Sequence, residues 1–168
     1  MALPLLVELS APMTFLANVV AWATFHIATG LAAHRLRLDR LARDGWLLRP
    51  RAVEHGGRIY ERLRIRRWKN RLPEAGALFK GGVSKRRLTG EIGRSQLDRF
   101  VVETRRAELA HWWAMACGPL AALWNPLVGL VVMVGYGVVV NAPFIAIQRY
   151  NRQRAQRVLA ARRSSRRA

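Results

Sequence analysis

Residues 109–148 form a run of forty positions with no formal charge beyond a proton that His111 could hold. A membrane-crossing helix needs about 20 apolar residues at 1.5 Å rise, so one straight helix would be twice too long. The run offers a break at Trp124-Asn125-Pro126. Asn-Pro favours a turn, and proline pushes its predecessor out of helical backbone. The stretch therefore reads as a hairpin, one arm over 109–123 and the other over 127–147. The first arm is short and is interrupted by Gly118-Pro119.

Charge is segregated along the rest of the chain. Positions 1–34 hold no Lys or Arg, 35–106 hold 21, 107–148 hold none and 149–168 hold 8. With a net charge of +19 and 51% hydrophobic residues, the composition excludes a disordered basic tail protein, which would be poor in apolar residues. Residues 13–33 make a first apolar span of one bilayer thickness, with Pro12 where a helix start tolerates it. A cleaved signal peptide would carry its positive charges ahead of the apolar run. Here Arg35, Arg37 and Arg40 follow it, which favours an uncleaved anchor. The expectation is an all-α integral membrane protein forming a single membrane domain over 1–168. Positive-inside ordering places the basic blocks 35–106 and 149–168 in the cytosol and the Trp124 turn outside, a multi-pass cell-membrane protein. The single Cys117 excludes an intramolecular disulfide or CxxC motif, and four scattered histidines offer no metal-ligand spacing.

Inside the basic block, Leu36, Leu38 and Leu41 are expected to continue the first helix to Asp44-Gly45. Turn signals recur at Gly56-Gly57, Pro73, Gly81-Gly82 and Gly90. Ile59 and Leu63 fall on one helical face and Ile65, Trp68 and Leu72 on the opposite one, so no single amphipathic helix fits that segment. Ser95 to Asp98 reads as a capping box. Beyond it Leu97, Phe100, Val101, Thr104, Glu108 and His111 share one face of a helix, with Glu103 and Arg106 on the far side. The C-terminal ARRSSRRA is expected to be a disordered interfacial tail.

Glu54-His55-Gly56, Ile65 to Lys69, VETRRAELAHW (102–112) and NAPFIAIQRYNRQR (141–154) together resemble the glycosyl-4,4'-diaponeurosporenoate acyltransferases. These are membrane enzymes that esterify the sugar of a glycosylated carotenoid with a fatty acyl chain. The resemblance covers roughly positions 50–157. The stretch RLPEAGALFKGG (71–82) is one expected of a broad branch of that family. The resemblance implies acyl transfer to a glycosylated lipid, with a carotenoid glycoside as leading acceptor. It implies no bound cofactor, with acyl-CoA or acyl carrier protein as donor.

Transfer to a sugar hydroxyl needs a base for the hydroxyl proton. His111 and Glu108, three apart on one helical face, are the expected catalytic pair, the carboxylate orienting the ring. Packing glue is their bland alternative. His34 and Asp39 have the HxxxxD spacing of glycerolipid acyltransferases, but the companion motifs are absent. Asn141, Gln148 and Arg152 form a polar stripe down the last span, joined by Arg149 and Asn151 as substrate-binding candidates, and Pro143 frees the Val139 carbonyl. The stripe could equally be interhelical glue. Arg66, Arg67 and Lys69 could hold donor phosphates, or simply meet anionic lipid heads. No nucleic-acid motif accompanies them, and oligomeric state is left open. The competing function class is a non-enzymatic lipid-binding or scaffold subunit. A transporter fits poorly, since three short spans carry only one polar stripe.

Overall fold

The first apolar span forms helix α1, Ala11–Arg35, with Pro12 in its first turn. The computed structural model describes residues 6–43, 45–72 and 93–165. Four further helices follow: α2 (Arg58–Arg62), α3 (Ile65–Trp68), α4 (Arg94–Cys117) and α5 (Leu127–Ser164). All regular structure among the described residues is helical, which makes the fold all-α as expected.

The hairpin is present. α4 ends at Cys117, a 3₁₀ segment runs over Gly118–Leu123, and α5 starts after Pro126. Asn125 holds the turn, its amide donating to the Ala121 carbonyl at 3.0 Å and to Asn18 Oδ1 of α1 at 2.8 Å. Trp124 Nε1 donates to the same Asn18 oxygen at 2.7 Å. One asparagine on α1 thus ties that helix to the turn between α4 and α5.

Two described helices, α1 and α5, are long and apolar enough to cross a membrane. Both expose large apolar side chains, among them Phe15, Leu16 and Val20 on α1 and Val128, Val131 and Val139 on α5. Bare apolar surface on this scale is costly in water and matches hydrocarbon. Helix α4 differs, because its first half is charged and only its second half is apolar.

Several expectations are corrected. The first helix does not continue through Leu41; it stops at Arg35, Leu36 is extended, and Leu38–Leu41 is a separate 3₁₀ turn. The carbonyls released by this break are met by arginines of α4. Arg106 donates to Leu36 O at 2.9 Å, and Arg105 donates to Leu41 O and Ala42 O, both at 3.1 Å. The helix after position 93 is capped by Gly93 and Gln96, not by Ser95 and Asp98, because it begins a residue before Ser95. The Gly93 amide donates to Gln96 Oε1 at 3.3 Å. Its buried face is as read, with Leu97, Phe100, Val101, Thr104 and Glu108 all buried. Glu103 and Arg106 pair at 3.1 Å on the other side, largely covered rather than solvated.

The expected C-terminal tail is helical to Ser164. It persists because Ala155 and Leu159 pack on Leu97, Phe100 and Val101 of α4. The undecided middle segment is two short helices separated by Arg64 in left-handed backbone, φ 51°. That break resets the helical phase. Tyr60 before it and Ile65 after it meet the same cluster, with Ile147 and Tyr150 of α5, while Leu63 stays exposed. The turn signals at Pro73, Gly81-Gly82 and Gly90, and nearly all of the 71–82 stretch, lie outside the described residues.

Candidate functional site

The most buried polar groups converge where α4, α5 and the segment before α2 meet. Glu108 and Arg152 are fully buried, and Glu54 and Arg149 nearly so. Arg149 spends its guanidinium three ways, on Glu108 Oε1 at 2.6 Å, Glu54 Oε1 at 2.5 Å and the Leu47 carbonyl at 2.7 Å. Arg152 pairs with Glu108 Oε2 at 2.7 Å and donates to the Leu48 carbonyl at 2.7 Å. Trp112 Nε1 adds a donor to Glu108 at 3.1 Å, and Gln153 donates to the remaining oxygen of Glu54. Two carboxylates and two guanidiniums sum to zero charge. A buried cluster is tolerable only when neutral and hydrogen-bonded in this way.

Local backbone puts Glu54 there. His55 and Gly56 both take left-handed backbone, φ 45° and 64°, which turns the chain sharply after Glu54. Gly57 then lies against Gln153, where an added Cβ would sit 3.3 Å from Gln153 Oε1. Burial, and next the Glu54 carboxylate, push the Tyr60 phenol well above its ordinary range. For Arg149 burial opposes the charge, but Glu108 and Glu54 more than offset it and raise its pKa.

One turn further along α4, His111 meets a different partner from the one expected. Its Nδ1 lies 2.9 Å from Asn141 Oδ1, and its ring stacks on Phe144 at 4.8 Å between centroids. Asn141 is fully buried, and its amide donates to the Gly137 carbonyl at 2.9 Å. Its Oδ1 is therefore the acceptor, which assigns the proton to His111 Nδ1 and leaves Nε2 as a base. The expected Glu108–His111 contact is replaced: Glu108 is taken by arginines of α5, and Asn141 orients the ring.

The other candidates fall into place around these two groups. Gln148 is half-buried, and Asn151 is buried with its Nδ2 unpartnered. Arg66 donates to the Tyr150 hydroxyl at 2.9 Å, and this bond leads in raising the Arg66 pKa. Lys69 reaches Asn151 Oδ1 at 3.4 Å and sits over the Tyr150 ring. Arg67 is exposed. Asp39 pairs with Arg37 in solvent at 3.2 Å. A cavity of about 950 Å³ between the start of α4 and the end of α5 is lined by Val101, Arg105, Leu159 and Arg163 among others. It is not lined by Glu108, His111, Asn141 or Gln148. Sequence reasoning assigned no role to Glu54, Trp112 or Gln153, and set Tyr60 only among the arginines of the donor segment. The scarcity of acids, 10 against 29 bases, was the available signal, since any acid near α5 had arginines to meet.

Comparison with known proteins agrees with this geometry in where it places the common core. The family model for glycosyl-4,4'-diaponeurosporenoate acyltransferase matches residues 43–161, which contain every group just described in the two polar centres. The proteins of that name from Staphylococcus aureus strains MRSA252 and Newman are 31% and 30% identical over 97 residues, 56% of this chain and 56% of theirs. The match thus spans about half the length of these relatives. No solved structure matches the chain significantly. With most of its length matched, from the segment before Glu54 to the last turn of α5, the chain belongs to the glycosyl-4,4'-diaponeurosporenoate acyltransferase family.

Proposed function

We propose that this chain is an integral membrane O-acyltransferase, joining an activated fatty acyl group to a hydroxyl of a glycosylated lipid at the cytosolic leaflet. A carotenoid glycoside is the acceptor, as the name of its relatives suggests. One observation carries the reading: an imidazole held by Asn141 through Nδ1, half-buried, with Nε2 left as a base. In this reading Nε2 takes the hydroxyl proton as the sugar oxygen attacks the acyl carbonyl. The Nδ1 proton stays on the ring throughout, donated to Asn141 Oδ1, and Nε2 returns its proton to the leaving thiolate. Base assistance of this kind is worth about 10² to 10⁴ in rate.

Gln148 and the unpaired amide of Asn151 supply hydrogen bonds for the acceptor sugar. Arg149 and Arg152, held by ion pairs to Glu54 and Glu108 and by backbone carbonyls, brace the wall of the site. Arg66, Arg67 and Lys69 receive the phosphates of acyl-CoA or the acidic face of an acyl carrier protein. The exposed apolar faces of α1 and α5 set the chain in the bilayer, with its basic segments cytosolic.

A non-enzymatic scaffold is the second reading. It is favoured by the self-contained charge cluster and by a cavity lined by other residues. Mass spectrometry of lipid extracts separates the two. Cells carrying the protein should accumulate an acylated glycolipid that cells with an equal amount of His111→Gln lack. Equal lipid profiles in the two would favour the scaffold.

A further inference from the structure

Helix α1 lies outside residues 43–161, yet it packs against α4 and sets Trp22 on α5 at Gly137. Trp22 of α1 is buried, with its indole wedged where α5 has no side chain. A Cβ added at Gly137 would lie 2.5 Å from Trp22 Cη2 and 2.9 Å from Cζ2, well inside the roughly 3.5 Å of carbon contact. Gly118 faces the same ring more loosely, its added Cβ falling 3.8 Å from Cζ2. Phe25, His26 and Tyr136 surround the indole with ring centroids at 5.7, 5.6 and 5.2 Å. Its Nε1 is buried without a partner, so packing shape rather than hydrogen bonding holds it in place.

Gly137 is also the residue whose carbonyl accepts from Asn141, and Asn141 holds His111. Contact is therefore continuous from the indole to the Gly137 backbone, the Asn141 amide and the His111 ring.

We propose that Trp22 is a positioning residue for acyl transfer, fixing the Gly137 carbonyl and through it the Asn141 amide that orients His111. The first span is then part of the site as well as an anchor. This rests on the reading of His111 as base.

The test uses the full chain in membranes, with glycosyl-4,4'-diaponeurosporenoate as acceptor and palmitoyl-CoA as donor. Gly137→Ala forces a methyl against the indole and should lower kcat by about 10²-fold, the scale of a misplacement near 1 Å, with acceptor KM little changed. Trp22→Phe shortens the ring and leaves a gap, and should also lower kcat. Combined, the two should recover most of the lost kcat, because the methyl fills space the shorter ring vacates. Gly118→Ala, at ordinary contact distance, should behave as wild type. If Gly137→Ala fails to accumulate, the kcat and KM of Trp22→Phe alone decide the matter. Unchanged kcat in either single variant, or a double variant no better than the worse single one, overturns the proposal. His111→Gln is assayed in parallel. Normal turnover there overturns the base reading, whereas inert His111→Gln beside fully active Gly137→Ala overturns the role of Trp22 alone.

Discussion

Arg149 Nη1 donates to Glu54 Oε1 at 2.5 Å across 95 positions of sequence, joining α5 to the segment ahead of α2. The same guanidinium reaches Glu108 of α4. One side chain therefore clamps the basic segment onto the helical hairpin, and it does so in a buried setting where the pair cannot be exchanged for water.

Removing the clamp should be expensive. Arg149→Met leaves Glu54 without its cationic partner in a buried position, a loss of about 3–5 kcal/mol. Thermal unfolding in detergent should show a large fall in midpoint. A change under about 1 kcal/mol would mean that water reaches this cluster freely.

Glu108 and His111 should separate by the kind of defect they cause. His111→Gln should accumulate normally and lose about 10² to 10⁴ in rate. Glu108→Gln removes the carboxylate paired with Arg152. It should lower the amount of folded protein, while the rate per folded molecule stays within about tenfold of wild type. Quantitative immunoblots alongside initial rates check both, and a Glu108→Gln protein that accumulates fully but is inert would return the carboxylate to the chemistry.

The donor segment should respond to charge. Replacing Arg66, Arg67 and Lys69 together by Gln should raise the donor KM and leave membrane insertion intact. Salt should weaken donor binding in the wild type more than in the triple variant, since fewer cations remain to be screened. Identical KM values for acyl-CoA in the two proteins would leave these residues as lipid-head contacts.

Tyr60 gives a stability effect with a definite sign. Its phenol ionises near 10 in the unfolded chain and higher in the folded one, through burial and the Glu54 carboxylate. Above pH 10 the unfolded state has released this proton and the folded state still binds it, so folding loses stability as pH rises. The slope from this group is at most about 1.4 kcal/mol per pH unit. Unfolding curves between pH 9 and about 11 should fall less steeply for Tyr60→Phe than for wild type.

Topology follows from charge placement. Reporter fusions at position 90 and at the C-terminus should both read cytosolic, and one after Trp124 should read outside. An outside signal at position 90 would reverse the orientation and put both polar centres on the wrong leaflet for a cytosolic donor.

The long helices, the turn at Trp124-Asn125-Pro126 and the buried face from Leu97 to Glu108 were legible because each depends on local features: apolar length, a helix-breaking dipeptide and a 3.6-residue period. His111 and Glu108 were likewise found as polar residues on an otherwise apolar face. Only the tertiary structure decided whom they meet. The i, i+3 spacing made them neighbours, but a carboxylate goes where the strongest donors are, and α5 brings two buried arginines to Glu108 and an asparagine to His111. The breaks after Arg35 and at Arg64 were hidden for a related reason. Local propensity allowed helix at both, whereas satisfying the carbonyls of Leu36 and Leu41 with α4 arginines, and bringing Tyr60 and Ile65 to one cluster, required partners that are distant in sequence and adjacent only once the chain has folded.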